Sequence, residues 1–138
     1  MDSRKLEEGA ELSLDFGKLA KAARCPGVLP VAVQHADSGE VLLIGYTNEP
    51  AFRRAIEDRR LILWSTSRNE LWEKGKTSGE TFDLVEVRVN CEQNALLYRV
   101  RPCRGGICHT RNAMGAPRAG CFYRRLNLDT GALEHLDP

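Results

Sequence analysis

Residues 28–48 read VLPVAVQHADSGEVLLIGYTN, and this stretch decides the fold class. Val28 to Gln34 is apolar and rich in β-branched residues, His35-Ala36-Asp37-Ser38-Gly39-Glu40 is turn chemistry, and Val41 to Tyr46 is apolar again. That order predicts a β-hairpin. Immediately downstream, Asn48 caps a helix whose first turn tolerates Pro50, with Phe52, Ala55 and Ile56 on one face as far as Asp58. Arg59 and Arg60 suit the negative end of that helix, and Leu61 to Ser65 reads as a buried strand. Thr66 to Glu80 is a long polar stretch carrying Trp72, Gly75 and Gly79, the kind of loop on which function tends to sit. Phe82 to Asn90 alternates as a strand, Ala95 to Val100 is its hairpin partner, and Cys91 lies in the turn between them. Pro102 to Gly120 reads as loop and Cys121 to Leu126 as a final strand. Upstream, Leu12 to Arg24 drifts toward helical spacing and predicts a short helix ended by Cys25-Pro26-Gly27, while residues 1–11 predict a disordered lead-in to a single domain over 12–138. Five or six strands with one or two helices predict an α+β, predominantly β fold.

Composition narrows the function classes. The chain has 138 residues, 42% hydrophobic and 28% charged, with 20 basic and 19 acidic side chains and a net charge of +1. A chain of this length buries roughly 70% of its unfolded surface and needs no disulfide staple. A charge this small gives no global field, which argues against nucleic acid as a partner. No apolar run approaches the ~20 residues that span a bilayer, so neither a membrane nor a secretory route is expected and the protein is read as cytoplasmic. In a reducing compartment, an odd count of five cysteines points to metal binding, chemistry or core filling rather than pairing.

Cys91, Cys108 and Cys121 all fall at loop or strand-edge positions, and Cys108 is followed by His109. Thiolates suit Zn²⁺, and three protein ligands leave a fourth position for a water made acidic enough to act near neutral pH. There is no Cys-x-x-Cys knuckle, so the spacing alone leaves buried, inert thiols as an alternative. Cys25 and Cys103, each beside a proline, are read as structural. In the polar loop, Arg68, Lys74 and Lys76 with Thr77 and Ser78 can make charge-assisted hydrogen bonds to phosphate oxygens; a solvated basic loop is the alternative. Trp64 and Trp72 are candidates to stack on a base, with Trp64 better suited to the core. Arg111, Arg118, Arg124 and Arg125 are further phosphate candidates, and His35 and His135 read as surface or turn residues.

The order of short motifs is more specific than any one of them. Trp64-Ser65-Thr66-Ser67-Arg68, Leu71-Trp72-Glu73-Lys74-Gly75-Lys76-Thr77-Ser78-Gly79, Val89-Asn90-Cys91-Glu92-Gln93-Asn94, Cys108-His109-Thr110 and Cys121-Phe122-Tyr123 together resemble phosphoribosyl-AMP cyclohydrolases of histidine biosynthesis. The resemblance extends from about residue 12 to 126 and looks like the single-function form, without a pyrophosphohydrolase domain. It implies hydrolytic opening of the N1–C6 bond of N1-(5-phosphoribosyl)-AMP, giving the formimino-AICAR ribonucleotide. It also implies zinc on Cys91, Cys108 and Cys121, His109 as acid/base, and Arg68, Trp72, Lys74, Thr77 and Ser78 on the nucleotide. His109 as a fourth ligand or as a hydrogen-bonded loop residue remains open. An intertwined homodimer with zinc ligands from both chains is implied as well.

The chain departs from the family pattern where a magnesium ion is expected. The family's Asp-Cys-Asp-x-Asp is here Asn90-Cys91-Glu92-Gln93-Asn94, so two carboxylates are amides and the third is longer, which puts Mg²⁺ in question. Thr66 stands where the family has Arg, His35 where it has Asp, and Arg111 to Gly120 resembles an insertion. The alternative function is that of a divergent paralogue, binding zinc and a nucleotide or hydrolysing a different purine nucleotide.

Overall fold

The computed structural model describes residues 3–14, 16 and 27–138. Among these are helices α1 (Ser3–Glu8) and α2 (Glu49–Asp58) and strands β1 (Leu29–His35), β2 (Val41–Thr47), β3 (Ile62–Ser65), β4 (Glu70–Glu73), β5 (Phe82–Val89), β6 (Leu96–Pro102), β7 (Arg124–Leu126) and β8 (Leu133–His135). The fold is α+β and predominantly β, as the sequence predicts. The main sheet has the order β2-β1-β6-β5; β1 is antiparallel to β2 and parallel to β6, and β5 is antiparallel to β6. Two further ribbons, β3-β4 and β7-β8, stand beside it. No helix among the described residues is long and apolar enough to cross a membrane.

Alternation along the strands sends Val31 and Val33, Leu42, Phe82 and Leu84, and Tyr98 and Val100 into one core, which Leu61, Ile62, Leu63 and Ala55 complete. Burying each large apolar side chain contributes about 1.5–3 kcal/mol, which makes this layer the main source of stability. Asn48 starts α2 by accepting the Ala51 N–H at 3.0 Å, and Arg59 ends it in the left-handed region at φ 54°. Gly45 in β2 lets Leu63 approach closely, since a Cβ there would lie 3.0 Å from the Leu63 Cδ1.

Several expectations are corrected. The Thr66–Glu80 stretch contains a strand, β4, because Leu63 pairs with Trp72 and Trp64 with Leu71 in an antiparallel ribbon. The last strand begins only at Arg124: the Cys121 N–H is spent on the Leu42 carbonyl of β2 at 2.7 Å, outside the β7-β8 ladder. β8 was not expected; the turn that makes it is closed by Asn127, whose Oδ1 accepts the Asp129 and Thr130 N–H groups. The predicted helix over Leu12–Arg24 falls for the most part outside the described residues; Leu12, Leu14 and Phe16 are exposed and not helical.

The expected disordered lead-in is instead α1, tied down by charge. Arg118 is only 2% exposed, and a buried guanidinium requires a partner. It donates to both carboxylate oxygens of Glu8, at 2.6 and 2.8 Å, and to the Asp137 carbonyl at 2.8 Å. Around this pair, the Tyr123 hydroxyl donates to the Glu7 carbonyl at 2.8 Å and His135 Nε2 bonds the Glu8 carbonyl at 2.9 Å. His135 is thus an anchor for α1, stacked on Tyr123, rather than a surface residue. The Arg118 hydrogen bonds hold the Glu8 carboxyl below its usual range. A depressed folded-state value means that this contribution is complete above the ordinary carboxylate range and is lost as pH falls through the folded value. Glu8→Gln is therefore expected to melt lower than the parent near neutral pH and to converge with it in acid, measured as melting temperature against pH. A constant difference at all pH values would contradict this role for the charge.

Candidate active site

The β3-β4 ribbon carries the first wall of a cleft. Its turn is closed by the Ser65 Oγ accepting the Arg68 N–H at 3.2 Å, with Asn69 in the left-handed region at φ 56°. Past β4, the Lys74 N–H donates to the Leu61 carbonyl at 3.1 Å, which pulls the Lys74 side chain inside, 3.9 Å from Glu80. Gly75 then turns the chain at φ 80°, where a Cβ would sit 2.3 Å from the Glu80 carbonyl carbon. Only glycine meets both conditions.

The second wall is the segment 105–121, a folded-back loop rather than an open one. The Cys108 N–H donates to the Arg118 carbonyl at 3.2 Å, and the Arg118 N–H to that of Thr110 at 3.1 Å. Gly106 is required where the two limbs touch, since a Cβ there would lie 2.2 Å from the Arg118 carbonyl oxygen. The Cys108 sulfur is buried and 3.0 Å from the Thr110 Oγ1. Cys121, exposed as a residue, has its sulfur in the neighbourhood of Cys108. Burial of that sulfur, with Cys108 beside it, pushes the Cys121 thiol up to about 12, while Lys74 pulls the other way.

Between the walls lies a cavity of about 630 Å³. Arg68, Trp72, Lys74, Thr77 and Ser78 line it, and His109 and Cys121 line it as well. Residues more than fifty positions apart in the chain thus face one space. Trp72 also packs against the core, which Trp64 had been the better candidate to do. His109 is largely exposed, and its Nε2 lies 3.1 Å from the Glu7 Oε1.

Cys91 is not part of this cluster. It is exposed in the β5–β6 turn, and among the described residues no three His, Cys, Asp or Glu side chains converge to hold a metal. Beside it, the Asn90 Oδ1 accepts the Asn94 and Ala95 N–H groups, both at 2.9 Å, and the Asn90 amide donates to the Asn94 Oδ1 at 2.6 Å. The Asn94 amide in turn donates to Glu92 at 3.4 Å. The further arginines each have partners within the chain: Arg118 is paired with Glu8, Arg124 donates to the Gly9 carbonyl, Arg125 pairs with Glu134, and Arg111 donates to the Gly115 carbonyl and lies 3.8 Å from Glu80. His35 closes the β1–β2 turn by accepting the Asp37 N–H. Sequence reasoning missed Glu7 and Glu80. Glu80 follows the two lysines in the same polar stretch, though Glu73 is closer to them in the chain, whereas nothing in the sequence links Glu7 to His109.

A family model described as phosphoribosyl-AMP cyclohydrolase matches residues 43–123. The chain belongs to that family. The phosphoribosyl-AMP cyclohydrolase of Hyphomonas neptunium is 44% identical over 100 residues, covering 72% of this chain and 71% of the relative. The one from Halobacterium salinarum is 40% identical over 131 residues, 95% of this chain and 96% of the relative. A histidine biosynthesis bifunctional protein of Thermus thermophilus is 43% identical over 100 residues, 72% of this chain but only 44% of its own length. The matched span contains both walls of the cleft and the Cys91 turn but not α1.

The packing of the second wall is directly testable. Gly106→Ala is expected to cost about 1–3 kcal/mol through overpacking against Arg118. It should also speed amide exchange at Ile107 and Cys108, whose N–H groups bond across the loop. Unchanged exchange at both would contradict the close approach.

Proposed function

We propose that the chain opens the purine ring of N1-(5-phosphoribosyl)-AMP by hydrolysis of the N1–C6 bond, as a phosphoribosyl-AMP cyclohydrolase of histidine biosynthesis. One observation carries the reading: in a member of this family, the five nucleotide-binding candidates, His109 and Cys121 all face a single cavity. Arg68, Lys74, Thr77 and Ser78 hold the substrate's phosphates by charge-assisted hydrogen bonds, and Trp72 offers its face to the base. His109 moves a proton between the attacking water and the departing N1, the transfer for which an imidazole is suited near neutral pH.

The donor set fits zinc. Cys108 and Cys121 present two neighbouring soft sulfurs, and a thiol raised to about 12 stays protonated unless a cation displaces the proton. Bound there, zinc supplies the Lewis acidity that makes a water nucleophilic near neutral pH. The third sulfur is Cys91, whose exposed position on the β5–β6 turn suits it to complete the pair of a second copy, in a homodimer. Reduced thiols of this kind fit a cytoplasmic setting. Magnesium does not fit: Asn90 and Asn94 spend their amide oxygens on the turn itself, and Mg²⁺ requires hard, preferably anionic oxygens. The reaction is therefore assigned to zinc alone.

Ring opening followed spectrophotometrically, with metal analysis of the same sample, tests the reading. Turnover with stoichiometric zinc and no added magnesium is expected. Cys91→Ser, Cys108→Ser and Cys121→Ser should each lose zinc, whereas His109→Ala should keep it and lose rate by about 10²–10⁴-fold. A zinc-loaded protein with no turnover would favour a different purine nucleotide as substrate.

A further inference from the structure

His109 is 80% exposed as a side chain, and among the described residues its ring has one hydrogen-bond partner, Glu7 on α1 at 3.1 Å. The two residues are 102 positions apart. An exposed ion pair between two free side chains contributes little, because ordering both cancels most of the attraction. Glu7 is not free in that sense. Its own carbonyl accepts the Tyr123 hydroxyl, the next residue is clamped by the buried Arg118, and the Gly9 and Ala10 carbonyls accept from Arg124 and the Leu133 N–H. These four groups thus hold α1 and the two residues after it in place beside the ring.

We propose that Glu7 is a positioning residue for His109, fixing the imidazole in its Nε2–H tautomer and leaving Nδ1 as the nitrogen that takes and returns the proton. An ionised carboxylate only accepts hydrogen bonds, so the ring nitrogen facing it carries hydrogen. In the neutral ring the lone pair then lies on Nδ1. The inference rests on the acid/base role of His109 and adds to it a residue outside the span matched by the family model.

The test uses the zinc-loaded, full-length protein as parent, Glu7→Gln, Glu7→Asp, His109→Ala and the Glu7→Gln/His109→Ala double variant. Glu7→Gln is expected to lower kcat about 10–100-fold with KM little changed, as loss of a partner that orients a histidine does. Glu7→Asp should recover part of that loss, and Glu7→Gln should have no further effect in the His109→Ala background. ¹⁵N NMR of the imidazole, at a pH where the ring is neutral, should show the Nε2–H form in the parent. It should show a mixture in Glu7→Gln, whose amide both donates and accepts. This measurement needs no turnover. Parent-like kcat in Glu7→Gln, an equal further loss in the double variant, or unchanged tautomer populations would each overturn the positioning role. Full activity of His109→Ala beside a Glu7-dependent tautomer would instead overturn the acid/base reading, and the catalytic meaning of the contact with it.

Discussion

β1 and β6 lie side by side in parallel, with Val31 opposite Leu96 and Val33 opposite Tyr98, and the rest of the molecule is arranged by that pairing. Parallel neighbours cannot be joined by a tight turn. The chain between them must leave the sheet and return, and here it does so through β2, α2, the β3-β4 ribbon and β5. The crossover is therefore not a bare connection. Its middle section, from Arg68 to Ser78, is one wall of the cleft, and α2 seals the core with Ala55 on the side from which that wall departs.

The other wall follows β6 and is fixed by backbone contacts more than by apolar burial. Gly106 lets its two limbs touch, the Cys108 N–H reaches the Arg118 carbonyl, and the Cys121 N–H reaches Leu42 on β2. The same wall buries Arg118, and that charge draws in Glu8 and with it the whole of α1. A stabilising ion pair and the placement of Glu7 beside His109 are thus one construction, since the adjacent residues Glu7 and Glu8 of α1 make the two contacts.

Much of this was legible in the chain itself. Alternation in 28–48 and 82–100 gave the two hairpins, and Asn48 with Pro50 gave the start of α2, because these signals are local and strong. The motif order marked Arg68, Trp72, Lys74, Thr77, Ser78, His109 and the cysteines. What escaped was nonlocal. β4 reads as polar loop because it is four residues long, Glu70-Leu71-Trp72-Glu73, and all four line the cleft, so the apolar alternation that signals a strand is absent. α1 is six residues long, too short to carry a periodic pattern, and is stabilised by groups more than a hundred positions away. Arg118 looked like any loop arginine because burial is not written in residue type.

The sequence by itself determined the strand-forming stretches, the capped helix and the family, since each depends on neighbours within a few residues or on motifs in fixed order. Only the tertiary structure decided that Cys108 and Cys121 are neighbours while Cys91 stands apart, that Arg118 is buried against Glu8, and that Glu7 faces His109. Those outcomes depend on which distant groups share a buried space, where an unpaired charge or unsatisfied hydrogen bond costs more than any local preference returns.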